Sequence, residues 1–261
     1  MSHFVLTSAS LARVTVKEAV RSKVFVGLLA FAAALIVLSA ILSNLAIGWP
    51  LRIVTDLSLA AIGVVSGVLA ILLAVGSTSR DMDRKTISFS LAKPISRSTY
   101  VAGKFGGVLA AVLLNLAAMT VCAAIVCFSH MHAEGPQFTV AAFLQASFLI
   151  ALRATVTTAV AVAFAVLVSP AVALMASSGI FVAAHLISDV RVLLEKAELG
   201  VLATLLYRTL PDFSLLDGLA ALVHGDPVIT SASVPAILYA LLYSAVALLL
   251  ATIFFEKRDL G

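Results

Sequence analysis

The sequence predicts an all-α polytopic membrane protein with six transmembrane helices, and three features predict it. Of the 261 residues 62% are hydrophobic and 11% are charged, with a mean hydropathy of +1.15. A soluble fold of this length has too little interior for so much apolar side chain, so lipid is the solvent for much of the chain. Second, the apolar residues fall into runs of about 20, the helical length that crosses about 30 Å of hydrocarbon. Third, the cations collect on one side of a six-span path. That side holds Arg13, Lys17, Arg21, Lys23, Arg80, Arg84, Lys85, Lys93, Arg97, Lys104, Lys257 and Arg258, the other only Arg52, Arg191, Lys196 and Arg208. An odd span count would put the basic N-terminus and the basic tail on opposite sides, against the positive-inside rule.

Residues 1–23 open the chain as a cytoplasmic interfacial helix. Val5, Ala9, Ala12, Val16 and Val20 recur at helical spacing beside a basic row of Arg13, Lys17 and Arg21, which suits lipid headgroups or a protein partner. No short apolar core there closes on a small-residue cleavage site, so the first span is expected to be its own insertion signal. That span is 24–47, followed by an outer turn through Gly48, Trp49, Pro50 and Arg52, with Trp49 suited to the aromatic belt. The second span, 56–78, returns inward, and its Gly63 and Gly67 form a small-xxx-small pair that lets another helix approach.

Residues 80–104 are the one densely charged passage between two long apolar runs. Asp81, Asp83, Arg84, Lys85, Lys93, Arg97 and Lys104 carry its charge, while Ile87, Phe89, Leu91 and Ile95 form an apolar ridge. A charged loop with such a ridge suits a protein surface, although the positive-inside rule alone also makes such loops basic.

The third span is 105–128, and its Cys122 and Cys127 are read as packing residues. His130, His132 and Glu134 come next, in the outer turn; they are residue types that bind zinc or copper, but no further ligand is near and a solvated turn is expected. The fourth span, 139–168, holds Arg153, the one charge inside an apolar run. Roughly 22 Å of helix separates it from the inner end, which places it in the outer part of the bilayer or facing a cavity. Burial of charge in lipid is costly, so Arg153 either snorkels or meets an anionic group in the path across the membrane.

Ser169 and Pro170 break the chain in a short inner turn before the fifth span, 171–187, where His185 is read as structural. In the outer segment 188–233, Val190, Leu193, Leu194, Ala197, Val201, Leu205 and Leu206 keep helical spacing opposite Arg191, Glu195, Lys196 and Glu198. Pro211, Gly218, Gly225 and Pro227 divide the rest of that segment into short pieces. The sixth span is 234–255, and 256–261 form a cytoplasmic tail.

No catalytic residue, metal site or cofactor is predicted. Gly103-Lys104-Phe105 lacks the upstream glycine and the hydroxyl of a phosphate-cradling Walker loop, and neither His-Glu-x-x-His nor Gly-x-Ser-x-Gly occurs. The net charge of +4 does not point to nucleic acid, because the cations sit at span ends. Six spans would need a second copy or a paralogue to enclose a pathway.

The order Arg80-Asp81, Lys85-Thr86, Leu91-Ala92-Lys93-Pro94-Ile95-Ser96-Arg97, Tyr100 and Gly103-Lys104 resembles the loop after the second span of ABC-2-type transporter permeases, closest to those associated with multicopper-enzyme maturation. That family usually has Glu where this chain has Asp81. The basic N-terminal helix, Leu210-Pro211-Asp212-Phe213 and the Phe255–Leu260 tail resemble it more weakly. The resemblance implies an exporter permease in the bacterial inner membrane, both termini cytoplasmic, with ATP and Mg bound by a separate cytoplasmic ABC ATPase subunit. It implies that Asp81, Arg84, Lys85, Thr86, Leu91, Pro94, Ser96, Arg97 and Lys104 couple the two. Ser169, Pro170 and the N-terminal helix are expected to join them. Short extracytoplasmic helices are implied before the last span, as is an extracytoplasmic accessory protein. The alternative is a membrane scaffold or assembly factor for an extracytoplasmic enzyme, without transport.

Overall fold

A computed structural model describes residues 2–43, 50–83, 96–130, 140–196, 210–216 and 233–257. It contains helices α1 (Ser2–Val20), α2 (Lys23–Ser43), α3 (Pro50–Asp83), α4 (Arg97–His130), α5 (Val140–Leu167), α6 (Pro170–Lys196) and α7 (Ser233–Lys257), with a 3-10 turn at Ser214–Leu216. Helices α2 to α7 are each long and apolar enough to cross a membrane, so the protein is an all-α polytopic membrane protein.

Two helices make the centre. Of the most apolar stretches, 72% of α3 and 78% of α5 are buried, against 22% of α2 and 17% of α7. Helix α3 packs on α2, α4, α5 and α6, and α5 packs on α3, α4, α6 and α7. The peripheral helices leave Leu241, Val246 and Leu249 of α7 and Val37 and Ile41 of α2 exposed, as residues solvated by lipid can be. The end of α7 meets the start of α4, along which α1 also runs. The start of α1 and the end of α7 therefore lie at one end of the bundle, here called the basic end.

Helix α1 docks through two glycines of α4. A Cβ on Gly107 would lie 2.8 Å from the Ala12 carbonyl oxygen, and one on Gly103 would lie 3.0 Å from that of Ser8. The register advances together, Leu11 at Gly103 and Thr15 at Gly107, so the helices run side by side in the same direction. Thr15 and Ala19 are buried here, whereas Ala9 of the expected apolar stripe is exposed and Val16 and Val20 are half-buried. Close backbone approach selects small residues over the most apolar stripe. Arg13, Lys17 and Arg21 stay exposed.

Several boundaries differ from those the apolar runs suggest. Pro50 and Arg52 belong to the first turn of α3, because proline needs no amide partner there, and Arg52 Nε lies 4.0 Å from Asp56 Oδ2. Helices α3 and α4 run into the charged stretch, so 80–83 and 97–104 are helical. Nothing between Ile187 and Lys196 breaks a helix, and α6 continues through it. Residues 44–49, 131–139, 197–209, 217–232 and 258–261 lie outside the described residues, and with them Trp49 of the expected outer turn, His132 and Glu134 of the next one, and most of the outer segment.

A strap at 210–216 lies inside the bundle. Pro211, Asp212, Phe213 and Leu216 are buried. The Phe213 amide donates to the Ala184 carbonyl of α6 (3.3 Å), and the Asp212 amide donates to the Tyr239 hydroxyl of α7 (2.7 Å). The Asp212 carboxylate accepts from the amide and hydroxyl of Ser214 at 2.9 and 2.6 Å. The Phe213 ring meets Phe181 and His185 edge-on, at 6.2 and 5.1 Å between centroids. Phe181 is eleven residues into α6, or about 16 Å along it. Irregular backbone at such depth persists because protein surrounds it.

Candidate functional site

The first two turns of α4 carry the densest polar chemistry of the described residues. Ser96 starts the helix: its hydroxyl accepts from the Thr99 amide (3.3 Å) and lies 2.6 Å from the Thr99 hydroxyl, an N-cap. The cap sets the helical phase, so Arg97, Tyr100 and Lys104, at i, i+3 and i+7, share one face.

That face holds the ends of two other helices. Lys104 Nζ donates to Asp81 Oδ2 of α3 at 2.6 Å, and the Tyr100 hydroxyl donates to the same oxygen at 2.9 Å. Lys104 is only 1% exposed. An ammonium this buried needs its carboxylate, since removing one partner of such a pair costs about 3–5 kcal/mol. Arg97 Nη1 donates to the Phe255 carbonyl in the last turn of α7, a turn whose carbonyls have no partner within the helix. Its guanidinium lies 5.3 Å from the Phe255 ring centroid, and the Tyr100 ring 6.3 Å away on the same phenyl group. One helical face thus clasps α3 through Asp81 and α7 through Phe255.

Asp81, Arg97 and Lys104, expected from the sequence, meet in this clasp, and Ser96 caps it. Arg84, Lys85, Thr86, Leu91 and Pro94 lie outside the described residues. Ser169 and Pro170 are exposed at the α5–α6 turn, where the Ser169 carbonyl accepts from the Ala173 amide (2.8 Å). Ala173 packs with Val75 and Ala165. Tyr100 was legible from its spacing to Arg97 and Lys104. Phe255 carried no local signal, because its partner is 158 residues away.

Arg153 sits in the middle of α5, about 20 Å from either end. It is half-buried, and its guanidinium lies against α3 at Gly63, where a Cβ would collide with Nη2. One turn on, Gly67 takes the Phe181 ring in the same way. The glycine pair expected to admit a helix therefore admits two large side chains, from α5 and α6.

Between α5, α6 and α7 lies an apolar cavity of about 660 Å³, lined by Phe164, Leu250 and Phe254 among others, with Tyr239 and Tyr243 on its α7 wall. Phe254 precedes the Phe255 held by the clasp.

Six apolar helices long enough to cross a membrane, two of them central and four around these, with a polar clasp joining the ends of α3, α4 and α7, define an all-α polytopic membrane protein. Residues 42–260 match the family model described as ABC-2 family transporter protein, and the chain belongs to that family. No curated protein gives a match.

Proposed function

We propose that this chain is the permease subunit of an ABC exporter, forming the translocation pathway as a dimer and driven by a separate cytoplasmic ATPase. ATP and Mg belong to that partner, and this chain contributes coupling rather than catalysis. The basic end faces the cytoplasm of a bacterial inner membrane, with both termini there, because cations are retained on that side. The observation that carries the proposal is the clasp. It joins α3, α4 and α7 at the two ends of the charged stretch, so a push on residues 84–95 would reach three spans together. Membership of the transporter family supports this, and the likeness of the central motif to permeases of multicopper-enzyme maturation supports an extracytoplasmic accessory protein as a further partner.

A tagged copy in its own host, extracted in mild detergent, tests the proposal. It should bring down an ABC ATPase, and Arg97→Glu combined with Thr86→Arg should abolish that capture while the variant still folds. Absence of an ATPase from the unmutated complex would overturn the proposal. Capture without ATP-dependent export would favour the scaffold alternative.

A further inference from the structure

Hydroxyls on the spans mostly bond back to their own helix. Ser39 donates to the Ile36 carbonyl, Ser66 to Gly63, Ser147 to Phe143, Thr157 to Arg153 and Thr158 to Ala154, at 2.7–3.0 Å. Ser177 of α6 does not. It is 2% exposed, and its Oγ has no hydrogen-bond partner among the described residues. It lines a small void of about 10 Å³ between α5, α6 and the tip of the strap, together with Thr157, Phe181, Pro211 and Phe213.

We infer that this void is a binding site for a single water molecule that joins α5 to α6 beneath the strap. Its volume is that of one water, for which about 10–15 Å³ suffices. A buried hydroxyl without a partner is destabilising, and a water relieves this at a site too small for an organic ligand. The donor sense is determined by Thr157. Its proton already goes to the Arg153 carbonyl at 3.0 Å, so its oxygen can only accept further. The water donates one hydrogen to Thr157 Oγ1 and accepts the Ser177 hydroxyl proton. A string then runs from Ser177 through the water and Thr157 to the backbone of Arg153. Pro211 and Phe213 close it from above.

The test is X-ray hydroxyl-radical footprinting of the full-length protein in lipid nanodiscs, in which a bound water marks the side chains beside it. Phe181 and Phe213, 9% and 3% exposed, should be labelled well above Phe143, which is 1% exposed. Ser177→Ala should lower the Phe213 label severalfold. Thr157→Val, which keeps the shape and removes the acceptor, should do the same if the alanine variant fails to fold. Phe213 labelling no greater than that of Phe143 would overturn the inference. So would labelling that survives both substitutions, since that would be bulk water reaching the strap.

Discussion

Lys104 and Arg153 are both cations on spanning helices, yet their surroundings have opposite character. Lys104 meets a carboxylate at 2.6 Å and a tyrosine that shares it, on a face that also grips α7. Arg153 rests on Gly63, where the facing helix presents bare backbone. The same helix, α3, presents a carboxylate to Lys104 and a glycine to Arg153. The clasp thus ties the ends of three helices together, whereas at Gly63 the absence of a side chain leaves space on α3 that the Arg153 guanidinium fills.

The largest effect should come from breaking the clasp. Asp81→Ala strands the Lys104 ammonium and should cost about 3–5 kcal/mol in thermal or denaturant unfolding. Adding Lys104→Met should recover much of the loss. A tolerated Asp81→Ala would show that Lys104 reaches water and that the contrast with Arg153 is false.

Crowding the glycine seats comes next. Gly107→Ala puts a Cβ against the Ala12 carbonyl and β-branched Thr15, and Gly67→Ala puts one into the Phe181 ring. Neither neighbour yields easily, so each should cost about 1–3 kcal/mol. Gly107→Ala should also loosen α1, read as faster proteolysis before residue 20.

Arg97→Lys sharpens the same contrast from the other side. It keeps the charge but loses the planar fork that both reaches the Phe255 carbonyl and covers its ring, with an expected loss of about 1 kcal/mol. Spin labels on α4 and α7 at the basic end should show a broadened distance distribution.

Gly63→Ala should have the smallest effect on stability, below about 1 kcal/mol, because the colliding atom is the end of a flexible side chain. If Arg153 serves the pathway, Gly63→Ala and Arg153→Leu should both lower ATP-dependent export while leaving the melting temperature nearly unchanged. Export unchanged in Arg153→Leu and Arg153→Lys alike would remove it from the mechanism.

Legibility varied in the same way along the chain. The six spans were visible as apolar runs, and Asp81, Arg97 and Lys104 as a charged motif. The division of roles within that motif was not visible, since nothing local distinguishes the Ser96 cap from the Arg97 clamp. The apolar stripe assigned to α1 was misjudged because Gly103 and Gly107 decide which face of α1 can approach. For α6, hydropathy marked the end of the apolar span at Ile187, whereas the helix itself continues to Lys196 because nothing interrupts its backbone.

The sequence by itself determined the class and the six long apolar helices. Each depends on a local quantity, the length and hydropathy of an apolar run, measured against the fixed thickness of a bilayer. Only the tertiary structure decided that α3 and α5 are central, that Phe255 closes the clasp, that Arg153 lies on Gly63 and that the strap seats against Ala184 and Tyr239. In lipid an outward-facing leucine is as well solvated as a buried one, so hydropathy carries no record of which face packs, and partners far apart in the chain appear only once the helices are placed.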